Sequence, residues 1–154
     1  ALNLSEGRGT TLPFELFGAP FIDQEKLKIN LGKRNIGGCA FRIHNFIPAF
    51  HKFAGELCNG LQIHVTEKPI FKPAGTALEI FDAILETSQP FALKFNMPPY
   101  EYENRLMPFD ILSGDSGMRE SLINRKNVVI EKERWTHEIE KFSYEFRQFA
   151  VYPE

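Results

Sequence analysis

Apolar and polar positions alternate twice in the first half of the chain and recur at helical spacing in the second. In "CAFRIHNF" Phe41 and Ile43 point one way while Arg42 and His44 point the other, the period-2 signature of a half-buried strand. "LQIHVT" repeats the pattern, with Leu61, Ile63 and Val65 expected inward and Gln62, His64 and Thr66 outward. Between the opening residues and these strands, Asp23 stands where an N-cap belongs, ahead of Leu27 and Leu31, and Gly32 closes that helix. Further on, "TALEIFDAILE" opens with Thr76 and Glu79 at capping-box spacing, followed by Leu78, Phe81 and Leu85. Asp115 or Ser116 can cap another helix running through Leu122. From about Ile130 the residues Trp135, Ile139, Phe142, Phe146 and Phe149 recur every three or four positions and predict a long helix whose aromatic stripe faces the core.

These elements predict a single mixed α/β or α+β domain over residues 1–154, a central sheet with packed helices including a long C-terminal one. No repeat, low-complexity linker or second composition regime divides the chain. Its 15 phenylalanines point to a core built on aromatic packing. A net charge of −2 leaves no electrostatic footprint for nucleic acid, and no apolar run reaches the ~20 residues of a membrane span. The opening "ALNLSEG" has neither a basic n-region nor an apolar h-region, and the sequence reads as a fragment, a processed product or an engineered chain. Cys39 and Cys58 make no disulfide framework and are expected as free thiols.

Several motifs fall away on inspection. "GRGTTL" has Leu12 and Pro13 where a dinucleotide fingerprint would continue into its helix, and no Walker A loop exists. "SGDSG" at 113–117 leads into helical "MRESLI", so it reads as a helix cap rather than a nucleophile loop. Cys39, His44, His51, Cys58 and His64 lack the spacing of a zinc site, and neither metal nor cofactor is expected.

The candidate chemistry sits in "LSEGRGTTLPFELFGAP", residues 4–20. Gly7 and Gly9 permit positive φ and a close backbone approach, and an extended run would project Glu6 and Arg8 to the same side. The Arg8 guanidinium would keep Glu6 ionised and suits bidentate capture of a carboxylate or phosphate. Thr10, Thr11 and Glu15 add the hydroxyl and carboxylate partners that sugars need. The alternative is a surface turn carrying a solvated ion pair.

"LSEGRGTTLPFELFGAPFID", then "FHKFAGELCNGLQIHVTE", then "PPYEYE" resemble, in that order, the C-terminal domain of the NamZ (YbbC-like) family, the bacterial exo-β-N-acetylmuramidases. The resemblance implies a two-domain parent with a Rossmann-like N-terminal domain, absent here, and an active site in the cleft between the two. It implies as partners that domain and peptidoglycan fragments containing N-acetylmuramic acid, and it places the parent in the periplasm or outside the cell. The family's catalytic glutamate lies in the missing domain, so no acid or base is assigned in this chain. Within that frame Arg8 is expected to bind the lactyl carboxylate or to orient a residue that does, and Glu6, Thr10 and Glu15 to shape the pocket or bond sugar hydroxyls, with Thr11 a further substrate-binding candidate. His64 and the pair Tyr100 and Glu101, which the family motif covers, are further candidates for substrate binding. A non-catalytic sugar-binding module is the other reading the loop allows.

Overall fold

The alternation in the first half of the chain produces a small antiparallel sheet. The computed structural model describes residues 1–124 and 128–152, and its strands are β1 (Leu16–Ala19), β2 (Cys39–Ile43) and β3 (Asn59–Val65). β3 lies at the centre, paired antiparallel to both neighbours, with Phe17 opposite Leu61 and Phe41 opposite Ile63. One face of the sheet therefore carries Phe17, Phe41, Ile43, Leu61 and Ile63 into the main core, where Phe17 and Phe41 meet edge to face at 6.4 Å. Val65 lies past the end of this core and is exposed, against its expected inward position.

Helix α1 (Gln24–Gly32) packs on that face, burying Leu27 and Leu31. Its cap is the expected one: the Asp23 carboxylate accepts a hydrogen bond from the Lys26 backbone N–H at 3.1 Å. Helix α2 (Pro73–Thr87) packs on α1 and begins three residues before the expected capping box. Pro73, with its fixed φ and missing N–H, occupies the first turn, so Thr76 is buried inside the helix rather than capping it. Glu79, with no cap to complete, instead accepts hydrogen bonds from Arg34 at 2.8 Å and from Lys132 at 2.7 Å.

Helix α3 (Pro108–Ser113), which the sequence pattern did not predict, starts at a proline and stops at Gly114 in the left-handed region. Helix α4 (Gly117–Ile123) follows; the Asp115 carboxylate accepts from the Gly117 N–H at 2.7 Å. Helix α5 (Val128–Arg147) packs on α2 and α4. Its aromatic stripe corrects the expectation of a core face. Trp135 is partly buried against the core, but Ile139, Phe142 and Phe146 are 63%, 65% and 52% exposed, and Phe149, 72% exposed, lies in a turn after the helix ends at Arg147. Its supports are shorter: twenty helical residues run about 30 Å, against about 22 Å for the fifteen of α2 and about 10 Å for the seven of α4, so the end of α5 outruns them.

Candidate functional site

The opposite face of the sheet is not left to solvent. Leu16, Phe46 and Cys58 form a second, smaller cluster there, with Leu12 and Phe53 packed against it. This cluster holds the loop of residues 5–15 against the loop of residues 46–58. Ser5 exchanges backbone hydrogen bonds with Gly18 (2.9 and 3.0 Å), and the Ala49 N–H donates to the Gly9 carbonyl at 2.8 Å. Gly7 and Gly9 have positive φ of 75° and 86°. A Cβ on Gly9 would lie 2.7 Å from the Phe50 carbonyl oxygen, so the close approach glycine permits here is to the protein's own backbone.

That approach brings Lys52 to Glu6. Lys52 Nζ donates to the Glu6 carboxylate at 2.8 Å and to the Leu4 carbonyl at 3.0 Å. Arg8 Nε sits 3.8 Å from the other Glu6 oxygen, with its side chain 52% exposed. Burial disfavours the Glu6 carboxylate, but the hydrogen bond and charge of Lys52, with a further contribution from His51, outweigh it and hold the group below its ordinary value. Glu6 is therefore a committed anion and an acceptor, unsuited to donating a proton near neutrality. Two cations, Lys52 and Arg8, stand around one carboxylate, and the cluster carries an excess positive charge at the surface. Beside it, Glu6 and Lys52 border a cavity of about 510 Å³ whose walls are mostly apolar, among them Leu4, Phe81, Phe109 and Trp135.

The remaining candidates are distributed unevenly. Thr10 is occupied within the loop: its hydroxyl donates to the Gly7 carbonyl at 2.6 Å and accepts from the Leu12 N–H at 3.1 Å. Thr11 is exposed on the same turn. Glu15 begins a polar row across the sheet, accepting from Gln62 Nε2 at 3.2 Å; Gln62 Oε1 accepts from Arg42 at 2.7 Å, and the same guanidinium lies 3.4 Å from His44 Nδ1. His64 is exposed on the same face of β3, two residues beyond Gln62. Tyr100 and Glu101 stand apart in a turn closed by backbone hydrogen bonds between Tyr100 and Glu103. Among the described residues no hydrogen bond or ion pair joins that turn to the loop at 5–15.

Lys52, Arg42 and Gln62 are the residues that sequence reasoning did not single out. The alternation already placed Arg42 and Gln62 on the polar face; what it missed is that their mutual hydrogen bond lets Gln62 be buried. Cys58, beneath Phe46, has its thiol pushed up to about 11 by burial and the nearby Glu56, which disfavours the reactive thiolate.

Residues 1–152 match the family described as exo-β-N-acetylmuramidase NamZ, C-terminal. The chain is 32% identical over 151 residues to the peptidoglycan β-N-acetylmuramidase NamZ of Bacillus subtilis (strain 168), covering 97% of this chain and 34% of that protein. It thus spans about a third of the length of the curated relative it matches. A crystal structure of a DUF1343 family protein from Bacteroides fragilis superposes with a TM-score of 0.80 at 20% identity, over 98% of this chain and 38% of that one, and shares the fold. With its match running from the glycine-rich loop through α5, the chain belongs to the NamZ C-terminal domain family.

Proposed function

We propose that this chain is the C-terminal half-site of a two-domain peptidoglycan exo-β-N-acetylmuramidase, and that its loop at residues 5–15 reads the lactyl carboxylate of N-acetylmuramic acid. The observation that carries the reading is the charge arrangement at that loop. Lys52 hydrogen-bonds one Glu6 oxygen at 2.8 Å, and the half-exposed Arg8 stands 3.8 Å from the other, too far for a hydrogen bond, so its fork is open to an incoming anion. N-acetylmuramic acid differs from N-acetylglucosamine by the lactyl ether that bears that carboxylate, so a cation on a rigid loop discriminates between them. The Lys52–Glu6 bond and the Thr10 turn fix the backbone that carries Arg8, which limits the loop entropy lost on binding. Glu15 and His64 extend the polar surface along the sheet, where sugar hydroxyls would meet acceptors and donors.

Hydrolysis of a glycoside ordinarily needs two carboxyl groups, and a general acid needs a raised pKa. Glu6 is shifted the other way. The proposal therefore assigns the acid and base to a further, Rossmann-like N-terminal domain, with the parent acting on wall fragments outside the cytoplasmic membrane. The test is release of N-acetylmuramic acid from a chromogenic β-N-acetylmuramide. The 154-residue chain alone should release none, while the whole reading frame that contains it should. Arg8→Ala in that frame should lower kcat/KM for the muramide at least about tenfold while sparing the matching glucosaminide. Robust release by the isolated chain, abolished by Glu6→Gln, would overturn the division of labour.

A further inference from the structure

Along α5, Trp135, Ile139, Phe142 and Phe146 are spaced four, three and four, the seam of a heptad rather than the broader stripe of a helix lying on a core, and Phe149 follows in the turn past Arg147. Only the first part of this seam is used. Lys132 and Arg134 tie the start of α5 to Glu79 and Asp115 at 2.7 and 2.8 Å, and Trp135 packs against the core. Beyond it four large apolar side chains are each more than half exposed, and Phe142 and Phe146 stack on each other at 6.0 Å. Together they present on the order of 400 Å² of apolar surface, as much as the largest patch of a typical monomer.

The residues beside the seam indicate what covers it. Glu138 and Glu145 flank one side and Ser143 the other. Two copies paired antiparallel would set glutamate against glutamate; paired parallel, they would set glutamate against serine. A second copy therefore gains no ion pair. An apolar groove edged by lysine or arginine would gain one at Glu145 and would add a second cation beside Glu138, which already accepts from Arg134 at 3.1 Å. The NamZ relative of Bacillus subtilis holds roughly two thirds of its length outside the matched region, since the match covers 34% of it. Ile139 also forms part of the cavity wall with Trp135, so whatever covers the seam reaches the cavity bordered by Glu6 and Lys52.

We infer that the second half of α5 is the docking surface for a further domain of the same polypeptide, received in an apolar groove with basic edges. The inference rests on the proposed function, in which this chain works beside another domain, and adds where the two meet. Docking there buries the aromatic rings and brings the partner over the cavity that adjoins the carboxylate-reading loop.

Hydrogen–deuterium exchange over residues 139–149 tests it, comparing the 154-residue chain with the whole reading frame that encodes it. Exchange at least about tenfold slower in the longer protein is expected. The double variant Phe142→Ser/Phe146→Ser should abolish that protection, yet leave the thermal midpoint of the 154-residue chain unchanged, because its rings are solvated there. Equal exchange in both proteins would overturn the inference. So would concentration-dependent protection in the short chain, which would assign the seam to a second copy, or a reading frame that encodes no further domain. None of these readouts involves sugar, so muramic acid recognition stands or falls separately.

Discussion

Removing Arg34 should unfasten the helical layer that supports the sheet. Its guanidinium donates to Glu79, Asp82 and Glu86 of α2, each at 2.8 Å, and its Nε donates to Asn30 at 2.8 Å. The side chain is 14% exposed and that of Glu79 only 9%. Breaking a fully buried pair costs ~3–5 kcal/mol; Lys132 remains beside Glu79 and Glu86 is partly solvated, so Arg34→Ala should cost roughly 2–3 kcal/mol. In a chain of this length that corresponds to a fall of about 5–10 °C in Tm. Chemical denaturation followed by circular dichroism would measure it. The pH dependence separates electrostatics from packing. Burial disfavours the Glu79 carboxylate, but hydrogen bonds from Lys132 and Arg34 hold its pKa below the ordinary 4.5. A depressed folded pKa contributes stability that is complete above the unfolded value and lost as pH falls through the folded one. The gap between wild type and Arg34→Ala should therefore be full at pH 7 and shrink below about pH 4. A gap that stays constant down to pH 3 would mean the arginine acts through its aliphatic stem, and the ion-pair account would be wrong.

Gly9→Ala should destabilise by at least about 2 kcal/mol, through a left-handed φ of 86° and a Cβ pressed against the Phe50 backbone; a Tm within a degree of wild type would refute the packing of the two loops. Lys52→Met removes the charge that offsets burial of Glu6, so the Glu6 carboxyl should titrate above the ordinary glutamate value of 4.5 when followed by NMR. An unshifted Glu6 would show that Lys52 is not its governing partner. Cys58, with its thiol at about 11, is roughly one-thousandth thiolate at pH 8, so iodoacetamide should label the less buried Cys39 first. Faster labelling of Cys58 would mean the small cluster under Phe46 opens readily.

Local signals made much of the fold legible. Asp23 caps α1 because capping chemistry operates within three residues, and β2 and β3 form because alternation reports which face is buried. At the start of α2 two local signals compete: Thr76 and Glu79 have capping-box spacing, but Pro73 sets the first turn earlier and Glu79 answers to Arg34 and Lys132. Periodicity along α5 reported an apolar seam faithfully and said nothing of what lies against it. At the candidate site the glycines and the neighbouring Glu6 and Arg8 could be read from the chain. Lys52 could not, because it reaches Glu6 across 46 residues through backbone contacts between two loops. Thr10, which looked like a sugar ligand by type, spends its hydroxyl on the loop itself, a use that only the turn geometry reveals.

The central claim is that this domain distinguishes muramic acid by its carboxylate at Arg8. Titration of the nitrogen-15-labelled chain with N-acetylmuramic acid and, separately, N-acetylglucosamine tests that directly. The account predicts shifts confined to residues 7–11 and the amide of Lys52 with the first sugar, little response to the second, and at least about tenfold weaker binding in Arg8→Ala. Equal responses to both sugars, or an Arg8→Ala chain that binds muramic acid as wild type does, would contradict it.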